Sequence, residues 1–264
     1  MHKFAKIIFI ITMIVTLFKT SQAIGLEWSE LKGDHFIIYF TGDEKFAKDV
    51  ERRAEEYYKQ IAGELGYQRH SDFWTWDKRV KIYIYPDHTS FVKATGQPDW
   101  SQGMANYTDK ELVGFAWSKG FIEGFLPHEM AHLIFRDYVG FEGEVPLWLD
   151  EGVAQWMELK KREKFKTALL QLAAKNLLMP IEQIMRLDIR NVDNELLVHT
   201  FYIEAVSLVG FLMNVHGSNK FIDFCRQLRD GKSLDDALKS AYSPSMQNIK
   251  EFEEQWREYI KEVK

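Results

Sequence analysis

A chain of 264 residues that is 46% apolar and 28% charged can bury one substantial core, which excludes a disordered or low-complexity protein. Its formal charge of −5 becomes −8 once the three lysines of the first 23 residues (Lys3, Lys6 and Lys19) are set aside. No basic face is then expected for a phosphate backbone, so nucleic acid is excluded as a partner.

Residues 1–23 divide into a basic start with Lys3 and Lys6, an apolar run from Ile7 to Phe18, and Thr20-Ser21-Gln22-Ala23 with small residues at the minus-three and minus-one positions. That order predicts a secretory signal peptide cleaved after Ala23, hence a secreted or periplasmic protein with no stable membrane insertion after cleavage. A retained anchor is the alternative, but the twelve-residue run is short against the roughly 20 residues a span needs.

From Asp34 onward short strands and helices alternate. His35 to Phe40 reads as a strand. Asp43 opens an amphipathic helix to about Leu65, stopped by Gly66. Val80 to Tyr85 alternates and ends at Pro86, a second strand; Asp87 to Thr95 reads as a short helix ending at Gly96, and Leu112 to Trp117 as a further strand. His35, His70 and His88 stand singly in this part and read as surface or strand-end residues.

His128-Glu129-Met130-Ala131-His132 then places two imidazoles four residues apart, on one face of a helix, with a carboxylate between them. This spacing reads as a zinc site, with Glu129 as general base for the attacking water. Pro127 confines the helix start to about Phe125, and Gly140 suits its end. Pro146 begins a second helix that carries Trp148-Leu149-Asp150-Glu151-Gly152, and Glu151, eighteen residues beyond His132, is the candidate third ligand. Gln155, one turn past Glu151, is the better candidate than Asp150 for orienting a ligand histidine, with a solvated amide as the alternative.

Beyond Lys160 the pattern is helical: 163–176, a turn led by Pro180, 195–215, 219–229, 233–241 and 245–262. The single cysteine, Cys225, cannot form an internal disulfide and lies among Phe221, Ile222 and Phe224 at helical spacing, as a core thiol does. The charged face of the last helix, including Glu251, Glu254, Arg257 and Glu258, reads as solvated surface.

The H-E-x-x-H run, the eighteen-residue interval and the Trp-Leu-Asp-Glu-Gly context together resemble the gluzincin metallopeptidases. The likeness is to the peptidase MA-like family and the catalytic domain of aminopeptidase N-type enzymes, and it covers most of the chain after residue 33. It implies an α+β, zincin-like fold: an α/β lobe over 24–118 with a small mixed sheet, a helical lobe over 119–264, and the active site between them. His128, His132 and Glu151 match the family's zinc ligands, and Glu129 its general base. Tyr202-Ile203-Glu204-Ala205-Val206-Ser207 is similar to the family's Tyr-x-Lys-Gly-Ala-Ser helix, whose tyrosine stabilises the oxyanion, which implies that role for Tyr202 with His199 as a competing donor.

Where the aminopeptidases carry Gly-x-Met-Glu-Asn, this chain reads Gly103-Met104-Ala105-Asn106, without the glutamate that grips a substrate's free amine. The expected activity is therefore a zinc-dependent metallopeptidase acting on a peptide or protein substrate as an endopeptidase rather than an aminopeptidase. Glu111 or Glu123 would have to supply the missing grip. The alternative is a non-catalytic, zinc-containing extracytoplasmic binding or envelope-assembly protein, which has no need of Glu129.

Overall fold

The computed structural model of the protein describes residues 27–66, 74–116, 120–141, 145–190 and 192–262. The expected signal peptide, His70 and the end of the strand expected to reach Trp117 lie outside them.

The N-terminal part is a mixed five-stranded sheet with two helices. Strand β1 (Ser29–Lys32) pairs antiparallel with β2 (Phe36–Phe40), and α1 (Glu44–Glu64) follows. After β3 (Val80–Tyr85) come α2 (His88–Thr95), β4 (Met104–Asn106) and β5 (Glu111–Phe115). The strand order is β1-β2-β3-β5-β4, with β2, β3 and β5 parallel and β4 antiparallel at the edge. Phe36, Ile38 and Phe40 alternate inward from β2, as a half-buried strand requires. On α1, Phe46, Val50, Ala54, Tyr58 and Ile61 bury one stripe, and the Asp43 carboxylate caps the helix by accepting from Phe46 N–H at 2.9 Å. Strand β1 was not expected. Its Ser-Glu-Leu-Lys sequence has no apolar alternation, and it is held by backbone pairing to β2 rather than by burial.

The second part is helical: α3 (Leu126–Val139), α4 (Leu147–Met157), α5 (Arg162–Ala174), α6 (Ile181–Arg186), α7 (Glu195–His216), α8 (Ser218–Arg229), α9 (Leu234–Tyr242) and α10 (Ile249–Glu262). Thus the turn expected after Pro180 is a short helix. Helix α7 is long and apolar enough to cross a membrane by length and composition, but 67% of its most apolar stretch is buried inside the protein. It is the central core helix, with α4, α5 and α8 packed on it. One hydrophobic cluster runs from Phe36 through Ile134 and Leu212 to Ile260, so sheet and helices share a core, and Cys225 is buried in it.

The helix of the histidine pair is seated on the sheet in a way that Pro127 explains. Phe121–Phe125 forms a π-helical turn running directly into α3, and Leu126 N–H reaches back five residues to Phe121 O. Pro127 has no N–H to continue the ladder, so the wider turn lets the chain wind through the proline instead of starting there. Phe121 packs on the sheet at Gly114, where a Cβ would stand 2.3 Å from its ring. Any side chain on that residue of β5 would push the helix off the sheet.

On the last helix Glu254 and Glu258 are exposed, as expected of a solvated charged face, but Arg257 is engaged. Arg257 pairs with Glu253 and donates to Met179 O at 3.2 Å, while Glu253 accepts from Ile181 N–H at 3.2 Å. These residues clamp the segment before α6 onto α10.

Candidate metal centre

Helices α3 and α4 cross with His128, His132 and Glu151 facing one another. One ligand atom from each lies within 4.8 Å of the others, and all three residues are buried. Glu151 Oε2 is 3.6 Å from His128 Nε2 and has no hydrogen-bond partner. Gly152 makes the next layer possible. A Cβ there would stand 2.6 Å from Ala205 O, so its absence lets α7 lie directly against α4. Tyr202, one turn before Ala205, is thereby carried to the same site.

Each imidazole is held from behind by a carboxylate. His128 Nδ1 is hydrogen-bonded to Glu158 Oε1 at 3.1 Å, and Lys161 pairs with Glu158. His132 Nδ1 lies 3.0 Å from Asp150 Oδ1, and Arg136 grips Asp150 with two nitrogens, at 3.3 and 2.5 Å. The expectation that Gln155 would orient a histidine is wrong, since Gln155 is buried with its Oε1 unpartnered. It repeats one turn beyond Glu151 on the same helix face, hence on the Nε2 side of the rings, whereas an orienting partner must meet Nδ1. Asp150, one residue before Glu151, points around the helix to the correct side, and Glu158 reaches in from just past the end of α4.

The two Nε2 atoms stand 3.3 Å apart. His128 Nδ1 is hydrogen-bonded to Glu158 and His132 Nδ1 lies close against Asp150, so the two Nε2 atoms face each other, and a proton or a cation relieves the contact of their lone pairs. A tetrahedral ion with nitrogen ligands at about 2.05 Å separates them by about 3.3 Å. The carboxylates of Glu129, Asp150, Glu151 and Glu158 are all buried here, against Arg136 and Lys161 as their cationic partners among the described residues. That excess of negative charge suits a divalent cation. The residues present therefore fit a metal held by His128, His132 and Glu151.

Electrostatics follow the same pairings. Burial disfavours the His128 imidazolium, but Glu151 and Glu158 outweigh it and hold the pKa in the metal-free protein at about 10. Burial would raise the Asp150 carboxyl, but His132 and Arg136 overcome this and bring it down to about 2. Glu158 is likewise held below the usual carboxylate range by His128 and Lys161, against its burial.

Glu129 is buried and accepts a hydrogen bond of 2.5 Å on Oε2 from the Tyr107 hydroxyl. Burial and the nearby Glu129 carboxylate push the Tyr107 phenol far above its ordinary pKa, so it keeps its proton. The Tyr107 ring lies edge-on to His132 at 5.7 Å, and the Arg136 guanidinium sits 5.1 Å from its centroid. Sequence reasoning missed Tyr107. The only available signal was its position, one residue past the Gly103 to Asn106 run.

Tyr202 feels Glu151 and Glu129 after burial as the causes of its raised pKa, and it has no hydrogen-bond partner among the described residues. His199 is exposed at the surface of α7. Ala105 pairs with Leu112 in the edge strand. Glu111 is buried within the sheet and paired with Lys81 at 3.3 Å, and Glu123 is exposed on the π turn. His35 stacks on Tyr58 at 3.9 Å and bonds Glu55 at 2.7 Å, a structural role at the start of β2.

The family described as the peptidase MA superfamily matches residues 73–262, which takes in every residue of this centre. The chain belongs to the peptidase MA superfamily. No curated protein matches it. In this member of the superfamily the H-E-x-x-H helix and the Glu151 helix meet as a buried His-His-Glu group compatible with metal binding, and the mixed sheet beside a helical region agrees with the fold.

Proposed function

We propose that the protein is a zinc-dependent metallopeptidase of the gluzincin type that cuts peptide bonds within a chain and acts outside the cytoplasm. The observation that carries the reading is Glu129, a buried carboxylate that is not needed as a ligand, lying beside the ligand pair with one oxygen engaged by Tyr107. A site serving only to hold structure has no use for it. Two imidazole nitrogens and one carboxylate oxygen form a donor set that suits zinc, and leave a coordination position for water or substrate. When bound, zinc polarises the scissile carbonyl and makes a water acidic enough to ionise near neutral pH. Glu129 takes the proton of the attacking water and passes it to the leaving amine. Tyr202, protonated and without a hydrogen-bond partner among the described residues, donates to the carbonyl oxygen as negative charge develops there.

Strand β4 supports the choice of substrate. As an antiparallel edge strand it has one side of its backbone without a strand partner among the described residues, a side on which an extended peptide pairs through main-chain groups whatever its side chains. Ala105 on that strand cannot bind an ammonium, so a free N-terminus gains nothing there. The secretory pattern of residues 1–23 supports export.

Metal analysis of the purified protein, combined with digestion of one peptide carrying a free or an acetylated amine, tests the reading. About one zinc per chain, internal cuts and near-equal kcat/KM for the two peptides are expected. A loss of roughly thirtyfold or more on acetylation would make the protein an aminopeptidase, and bound zinc without cleavage of any peptide would make it a binding module.

A further inference from the structure

We propose that Tyr107 is a positioning residue that fixes the Glu129 carboxylate for proton transfer and ties it to the strand along which substrate would lie. This rests on the reading of Glu129 as the general base. A glutamate side chain turns about three bonds, and a buried one without a partner would sample several orientations. Here the Tyr107 hydroxyl donates to Oε2 at 2.5 Å, which leaves Oε1 to meet a proton.

Tyr107 is itself fixed from two directions. Its ring is edge-on to His132 and carries the Arg136 guanidinium over it, and Arg136 holds Asp150, which in turn lies 3.0 Å from His132. The tyrosine, the arginine, the aspartate and a ligand histidine thus form a closed ring of contacts, and the base is joined to it through the Tyr107 hydroxyl. The turn carrying Tyr107 is pinned as well. Asn106 and Asp109 exchange hydrogen bonds at 2.8 and 3.2 Å across it, and Lys110 at its end pairs with Asp137 of α3. Since Tyr107 directly follows β4, the open strand edge and the hydroxyl that aims the base belong to one rigid piece. A peptide laid along β4 is then in register with Glu129 without any further movement, and small displacements of such a group are costly in rate.

The test is Tyr107→Phe, which keeps the ring and its contacts and removes only the hydroxyl. A peptidyl hydroxamate is the probe, because it chelates the metal and presents a proton to the neighbouring carboxylate, so its affinity reports the base without turnover. With zinc content still near one per chain, the hydroxamate Kd is expected to rise about tenfold or more, the scale of a lost hydrogen bond to a charged group. In parallel kcat should fall by a similar factor while KM stays within about twofold. A hydroxamate Kd within twofold of the wild type would overturn the proposal. A wild-type protein that binds zinc and the hydroxamate but cleaves no peptide would instead overturn the peptidase reading, and the Kd change would still decide the role of Tyr107.

Discussion

Asp150 and Glu158 beside the histidine pair are about as deeply buried as Glu204 is in the middle of α7, yet their surroundings treat charge in opposite ways. Asp150 meets His132 and Arg136, Glu158 meets His128 and Lys161, and both carboxyls are held below their ordinary range. Among the described residues Glu204 has one hydrogen-bond partner, the Met179 N–H at 2.9 Å, and its second oxygen is unpaired. Burial pushes its pKa up to about 8 against that bond and the charge of Arg257. Burial alone therefore does not decide whether a carboxylate stays ionised; the number of donors and cations facing it does. At the candidate metal centre the partners keep these carboxylates ionised, which suits a cation. In the core of α7 a proton is the cheaper answer.

The comparison can be broken most severely at a ligand. His132→Ala removes one of three donors from a centre whose other members are already fixed, and metal should be lost altogether on dialysis, read by elemental analysis. A variant that kept its full complement would show that the ion sits elsewhere.

Asp150→Asn is the next largest change. It retains a polar group beside His132 but removes the charge that orients and enriches that imidazole, and zinc affinity should fall roughly 10- to 100-fold in a chelator competition. Glu158→Gln should cost less, nearer the lower end of that range. Its charge is already shared with Lys161, whose side chain is 37% exposed, whereas Arg136 and Asp150 lie deeper. Equal losses in the two variants would show that the two histidines are held equivalently.

Glu204→Gln should act in the opposite sense, on the stability of the fold rather than on the metal centre. The folded pKa of Glu204 lies above the ordinary value of 4.5, so the folded state binds the proton more tightly. Stability is then lost as pH rises from about 4.5 to about 8, and an amide that cannot ionise avoids that loss. The variant should be more stable than the wild type at pH 8 by on the order of a few kcal/mol, with the gain fading toward pH 5, as measured by denaturant unfolding. A gain that did not change with pH would mean that Glu204 is ionised throughout.

Much of this was legible from residue order because it depends on local rules. A β-rich apolar run marked β2 and alternation marked β3, Asp43 and Gly140 bounded their helices, and the four-residue histidine spacing already implied one shared face. The features that escaped depend on contacts between distant segments. Strand β1 has no apolar pattern and exists by pairing with β2; the π turn follows from a proline that a helix-start rule treats only as a boundary. Glu158 lies beyond the end of α4, and Tyr107 lies 22 residues before the glutamate it bonds, so no periodicity links either one to the site. Gln155 was favoured over Asp150 because helical spacing tells which residues share a face with Glu151, but not which side of an imidazole that face meets.

The account turns on Glu129 as a base that is not a ligand, and Glu129→Gln separates the two roles in one sample. The amide keeps the shape and can still accept from Tyr107, but it cannot take up a proton at neutral pH. Zinc content and peptide turnover should be measured on the same preparation beside the wild type. The account predicts about one zinc per chain in both proteins and turnover lowered by at least about 10² in the variant. Unchanged turnover at full zinc content would contradict it.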